Sequence, residues 1–305
     1  MSAPSQTQRG ASAGRRRFTG AVMAAPALVL FGLFGVVPLA GVVALSLARW
    51  DGLGRLGWAG AANWRAVLTD AGTWESLWLT VKVMVLSWLV QTPIALALGL
   101  FQAGRARWRA AFAVLFFLPL LLSAVAIGLA WQALLDPAFG IGSAPGLHWL
   151  ARPLLGSPDL ALYTVIFVIA WQFIPFHALL YQAGIRQIPA ALYEAAAIDG
   201  ANRTARFVHI TLPQLRYTIV TSTTLMLVGS LTYFDLIFVL SGGTGGPGTA
   251  TRVLPLAMYI TGFQAHDMGR ASAVATVLVV AGLGLSLLTT RLSGFTRMDS
   301  LQEGL

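Results

Sequence analysis

The sequence predicts an all-α protein that crosses a membrane several times. Of its 305 residues, 57% are hydrophobic and only 10% charged, against about 25% charged in a typical soluble domain. Several apolar runs exceed about 18 residues, enough to cross a hydrocarbon core of about 30 Å. The short alternating segments that a transmembrane β-barrel requires are not seen.

Taken in order, residues 1–18 form a Ser-, Gly- and Arg-rich tail with too little apolar surface to fold, and read as disordered. Arg15-Arg16-Arg17-Phe18 ahead of an apolar run is similar to a twin-arginine export signal. The run Ala21–Leu47 is far longer than a signal core of about 7–15 residues, so the tail is expected to precede an uncleaved span. Six spans are expected: Val22–Leu47, Leu77–Phe101, Ala110–Leu135, Leu160–Gly184, Thr218–Leu240 and Ala271–Leu292. The expected organisation is therefore a tail (1–18), a first helix with its outer loop (19–76), a core of five helices (77–292) and a C-terminal tail (293–305).

The net charge is +9 and nearly all of it is arginine. Arg9, Arg15, Arg16, Arg17, Arg105, Arg107, Arg109, Arg186, Arg203, Arg206, Arg216, Arg291 and Arg297 fall on one side of these spans. The other side mixes Arg49, Arg55, Arg65, Arg152, Arg252 and Arg270 with Asp51, Asp70, Glu75, Asp136, Asp159 and Asp267. Arginine excess marks the cytoplasmic side, which puts both termini in the cytoplasm of a multi-pass cell-membrane protein. This placement also argues against nucleic-acid binding. The absence of cysteine removes thiolate chemistry and cysteine-bound metals. His148, His177, His209 and His266 have no ligand spacing, so no metal site is expected.

One cytoplasmic loop, 185–217, interrupts the apolar pattern. Pro189 opens a short helix that Glu194 to Ala197 continue with strong helix formers. Asp199-Gly200 ends it, because glycine takes left-handed backbone angles at little steric cost. Without a side chain, Gly200 also lets another surface approach closely. Phe207, Ile210 and Leu212 turn the chain back toward the membrane, and Pro213 precedes the fifth span. Composition alone fits an ordinary amphipathic interfacial helix equally well.

The full pattern narrows this. Glu194-Ala195-Ala196, then Asp199-Gly200-Ala201, then Phe207, Ile210 and Leu212-Pro213 resembles the Glu-Ala-Ala signature of the permease subunits of ABC importers. The second proline often found four residues after the first is here Tyr217, which bears on the local kink. The resemblance covers roughly residues 77–292, the first span being the usual addition in sugar-type members. It implies the six-helix type I importer architecture, with this segment as the coupling helix seated in a cleft of a cytoplasmic ATPase. Two copies of that ATPase, an extracytoplasmic solute-binding protein and a second permease in a heterodimer are the implied partners. The chain has no Gly-x4-Gly-Lys-Ser/Thr loop, and its single lysine, Lys82, lies inside a span. ATP and Mg are thus expected on the separate ATPase, with no cofactor and no catalysis in this chain.

The run Ser241-Gly242-Gly243-Thr244-Gly245-Gly246-Pro247-Gly248 reads either as a tight re-entrant turn or as a functional outer loop. Gly245, Gly246 and Pro247 also resemble a Thr-x-Gly-Gly-Pro feature of permeases of the maltose and glycerol-3-phosphate type, which implies sugars or related polyols as cargo. A sugar path needs aromatic faces and hydrogen-bonding groups turned away from lipid. Trp171, Gln172, Phe176 and His177 on the fourth span, and Ser230 and Tyr233 on the fifth, are the candidates; small and hydroxyl residues also serve simple helix packing. Lys82 and Asp235 each lie about five residues from the outer ends of their spans. Intramembrane charges tend to pair, so an ion pair bracing an outer gate is one expectation and interfacial water the other. A membrane-embedded enzyme would need clustered nucleophiles, acids or ligands, and a channel a filter or ring of charges; neither pattern is present in the sequence.

Overall fold

The computed structural model describes residues 22–104 and 107–293. The tail 1–18, Arg105 and the C-terminal tail beyond Ser293 lie outside the described residues.

The first helix, α1 (Val22–Leu45), is apolar on all sides and lies on the outside of the bundle, its hydrophobic side chains exposed. A small antiparallel hairpin follows, β1 (Ala48–Arg49) against β2 (Gly57–Trp58). Its turn is held by Asp51, whose carboxylate accepts the Leu53 and Gly54 N–H groups. Helix α2 (Ala62–Thr69) anchors the hairpin through Asn63 Nδ2, which donates to the carbonyls of Ser46 and Ala48.

Helix α3 (Ala71–Gln102) starts at Asp70, whose carboxylate accepts the Thr73 N–H at 2.8 Å and so satisfies one of the free donors of the first turn. Its buried face is Ser76, Thr80, Val83, Ser87, Gln91, Ala95, Gly99 and Gln102. These recur every three or four residues, one helical stripe, and they are small or polar where a soluble core helix would be Leu-rich. Helix α6 (Pro158–Arg186) packs along this stripe. At Gly99 the backbones approach so closely that a Cβ would stand 2.7 Å from Tyr181 Cβ and 2.9 Å from the Ala178 carbonyl oxygen. Small residues allow such contact where the solvent is lipid and apolar burial gives little drive. Gln182 Nε2 completes it by donating to the Gln102 carbonyl at 3.0 Å.

Two expected spans are not continuous. The third divides into α4 (Arg107–Leu121) and α5 (Ala124–Leu134), bent by 97°. Pro119 lies just before the break, and Ser123 in extended backbone caps α5 by accepting the Ala126 N–H. The fifth ends early. Helix α9 (Arg216–Ser230) stops, and α10 (Asp235–Leu240) begins after a break of four residues. Ser230 Oγ donates to the Leu227 carbonyl and Thr232 Oγ1 to the Gly229 carbonyl, both at 2.7 Å, so side chains compete for the carbonyls that would continue the helix. Helix α10 folds back onto α5, where Gly128 leaves room for Val239 and Gln132 Nε2 donates to the Val239 carbonyl at 2.7 Å.

A further half-length helix, α11 (Leu254–Tyr259), continues as a π turn to Gln264; the sequence reading had no helix there. The last helix, α12 (Met268–Ser293), packs against α1, α9 and α11. Among the described residues, four helices are long and apolar enough to cross a membrane, five if the bent pair is one span.

Candidate functional site

Three places carry the sequence-derived candidates. The first is the loop between α6 and α9. Its helix α7 (Ala190–Ile198) begins at Pro189 and ends at Asp199. Gly200 has φ +75. The Gly200 N–H donates to the Ala197 carbonyl at 3.2 Å and the Ala201 N–H to the Ala196 carbonyl at 2.8 Å. That pair of bonds is a Schellman cap. Asn202 then starts α8 (Arg203–Arg206) by accepting the Ala205 N–H through its side chain. A π turn, Phe207–Thr211, and the short turn Leu212–Gln214 lead into α9.

Glu194, Ala195, Asp199, Gly200 and Pro213 are exposed, while Ala196, Ala201, Phe207 and Leu212 are half-buried. No atom lies within 4 Å of where a Gly200 Cβ would be, and Ile198 is 87% exposed. Helix α7 is tied to the base of the loop where the Tyr193 hydroxyl meets Thr211 Oγ1 at 2.9 Å. A helix of nine residues does not hold in water by itself; this one is braced at its root and bare at its tip.

The second place is a cavity of about 480 Å³ between the α4–α5 break, α6 and the end of α9. Gln172, Phe176, His177 and Tyr233 all line it, joined by Phe173, Thr232 and Asp235. Gln172 and Phe176 share a face because they are four apart. Phe173 and Tyr233 bring their rings to 5.3 Å. His177 Nδ1 is 2.9 Å from Ser222 Oγ, whereas Gln172 Oε1 is buried without a hydrogen-bond partner. Two candidates lie elsewhere. Trp171, one residue from Gln172 and so about 100° round the helix, faces a separate apolar groove on the other side of α6. Ser230 is 3% exposed and spends its hydroxyl on the Leu227 carbonyl.

The third place is the glycine loop. Gly242, Gly243, Gly245, Gly246 and Gly248 all have positive φ, and the loop packs on itself. A Cβ at Gly245 would lie 2.6 Å from Arg252 Cβ. Arg252 donates through Nε and Nη2 to the Thr244 carbonyl, and the Thr251 N–H to the Gly245 carbonyl at 2.8 Å. The segment is a built turn closing onto α11, whose Leu254 N–H donates to Thr80 Oγ1 on α3 at 2.7 Å.

Lys82 and Asp235 do not meet. The break between Ser230 and Asp235 carries Asp235 to the exposed start of α10, beside the cavity. Lys82 Nζ instead stands 5.2 Å from the centre of the Tyr163 ring. The ion pair present among the described residues is Arg270 Nη2 with Asp70 Oδ2, at 2.9 Å. It joins the first turn of α12 to the cap of α3, and local pattern does not show it because its partners are 200 residues apart.

Known proteins agree with this architecture. The family described as "binding-protein-dependent transport system inner membrane component" matches residues 91–295, more than half of the chain. The probable ABC transporter permease protein YurN of Bacillus subtilis (strain 168) is 36% identical over 86% of this chain and 91% of its own length. The trehalose/maltose transport system permease protein MalF of Thermococcus litoralis is 28% identical, over 91% of this chain and 94% of its own. Among solved structures, a chain of a bacterial ABC transporter involved in the import of the acidic polysaccharide alginate has the same fold, with a TM-score of 0.79 at 23% identity, covering 95% of this chain and 99% of that one. Several long apolar helices, a short bare helix between two of them and these matches converge: the chain is a multi-pass membrane protein that belongs to the family of binding-protein-dependent transport system inner membrane components.

Proposed function

We propose that this chain is one permease of a binding-protein-dependent ABC importer of sugars or related polyols, and that α7 is its coupling helix. The observation that carries this reading is the bare tip of α7. A nine-residue helix closed by a glycine cap, held at its root and touching nothing at its tip, is shaped to sit in a cleft of another protein. In this reading the bent α4–α5 pair and the divided α9–α10 segment complete six membrane passages, with both termini on the cytoplasmic side. Two copies of a separate ATPase bind and hydrolyse ATP with Mg. A second, related permease forms the other half of the pore, and an extracytoplasmic binding protein delivers the cargo.

Mechanically, α7 joins α6 to α9, and both helices line the cavity. A pull on the Gly200 tip is therefore delivered to the cavity walls. Gln172, Phe176, His177 and Tyr233 offer what a sugar needs there: aromatic faces for its C–H surface, and an amide oxygen with no partner for one of its hydroxyls. A hydroxyl bonded to that oxygen relieves an orphaned buried acceptor. Sugar cargo is supported by the relatives named above and by this lining.

The test is Gly200→Trp in the complex assembled in lipid with its ATPase and binding protein. The chain should insert normally, because the position is open. Stimulation of ATP hydrolysis by loaded binding protein should vanish and uptake should fall at least tenfold. Uptake and motor assembly at the normal level would sink the proposal. Gln172→Ala should instead leave motor assembly intact and lower cargo-dependent stimulation.

A further inference from the structure

Lys82 is the chain's single lysine. It lies well inside the apolar helix α3, and no described carboxylate forms a salt bridge with it. Glu75, two turns away on the same helix face, accepts the Thr249 hydroxyl instead. Ionisable residues at such depth are costly and call for a partner. Here the contact is the Tyr163 ring, 5.2 Å from Nζ, and Tyr163 opens a groove of about 450 Å³ between α3 and α6. The groove is lined almost wholly by carbon: Leu86, Val90 and Ile94 from α3, Phe167 and Ile174 from α6, and Phe116 from α4.

Lys82, Leu86, Val90 and Ile94 are each four residues apart and form one stripe. From Lys82 to Ile94 the stripe runs about 18 Å at about 1.5 Å per residue, against about 15 Å for half of a hydrocarbon core of about 30 Å. With Lys82 about five residues inside its span, the groove starts in the leaflet at the Ala71 end and its apolar walls run past the midplane, with Tyr163 at its upper end and the Lys82 cation beside that ring. A lysine so placed reaches its ammonium toward the interface while its stem stays among apolar groups. An apolar helix from another protein laid along the groove would set an unpaired cation against its side, whereas a lipid phosphate supplies the counter-charge.

We propose that this groove seats one acyl chain of an anionic phospholipid from the leaflet at the Ala71 end of α3, with the lipid phosphate on Lys82 Nζ. The site is separate from the cavity proposed for cargo, which lies across α6.

The experiment uses the full chain with its partner subunits in vesicles of phosphatidylcholine, doped with either phosphatidylglycerol or phosphatidylcholine bearing a photoactivatable acyl chain. Label should appear in peptides covering residues 86–94 and 163–174, with phosphatidylglycerol favoured about fivefold, the order expected of one lysine at an anionic surface. Lys82→Gln should equalise the two probes and Lys82→Arg should keep the preference. Ile94→Trp, which fills the groove, should lower labelling there by both probes. Equal labelling by the two probes in the unaltered chain, a preference that survives Lys82→Gln, or no label in these peptides would each overturn the proposal, the last by showing the groove covered by protein.

Discussion

The loop at α7 and the loop at residues 241–252 are both punctuated by glycine, yet their glycines do different work. Gly200 is there for its backbone angle alone: φ is +75 and nothing lies within 4 Å of a Cβ. Gly245 is there for angle and space together: φ is +93 and a Cβ would lie 2.6 Å from Arg252 Cβ. The first kind of glycine leaves a surface free for something outside the chain. The second lets the chain close upon itself. The difference separates an open tip, the one proposed above to be gripped by a partner, from a loop that holds its own shape, and a run of glycines in sequence does not distinguish them.

The sharpest way to break the comparison is Gly245→Val. Left-handed strain of about 1–3 kcal/mol adds to overpacking of a similar size, so the purified protein should lose several degrees of thermal stability or fail to accumulate. Next comes Thr80→Val, which leaves the buried Leu254 N–H without its acceptor; a loss of about 1–3 kcal/mol should appear in the same melting measurement. Gly200→Ala meets only the backbone penalty, about 1–2 kcal/mol, confined to an exposed cap. Its melting temperature should barely move while exchange protection of the Ala196–Ala201 amides falls. If Gly200→Ala destabilises the whole protein as much as Gly245→Val, the contrast between the two loops is wrong.

The smallest effect should come from Asp70, beside the glycine loop's face. The Thr73 hydroxyl first, then the Thr73 N–H and Arg270, hold its carboxyl below the usual carboxylate range, against the opposing pull of burial. A carboxyl depressed in the folded state stabilises above its unfolded value of about 3.9. That contribution is lost as pH falls from there through the lower folded value. The side chain is 39% exposed, so screening keeps the effect below about 1 kcal/mol. Asp70→Asn should flatten the melting temperature between about pH 5 and 3 relative to the unaltered chain.

Features that are local in sequence were legible in it. The Asp199-Gly200 cap needs six residues and one glycine, and it forms where the pattern placed it. Helices α1, α3, α6 and α12 follow from apolar length alone. The breaks at Ser123 and Ser230 were not legible, because hydropathy reads the same through a bent span and a straight one. The same holds for Lys82 and Asp235: their equal depth assumes a continuous fifth helix, and the break after Ser230 carries Asp235 away. Gln172 and Phe176 share the face that their four-residue spacing suggests, and His177 and Tyr233 line the same cavity. Trp171 was lost to the opposite face by a single residue's rotation, and Ser230 by a carbonyl near at hand in its own helix.

The contact at Gly99 has one more consequence. Because α3 and α6 meet there backbone to backbone, a slide of one helical rise, about 1.5 Å, would drive Tyr181 Cβ and the Ala178 carbonyl into the neighbouring side chains. The pair is keyed like a shaft in its hub, free to travel as a unit but not to slip, and flexure is left to the bent and divided segments on either side of it.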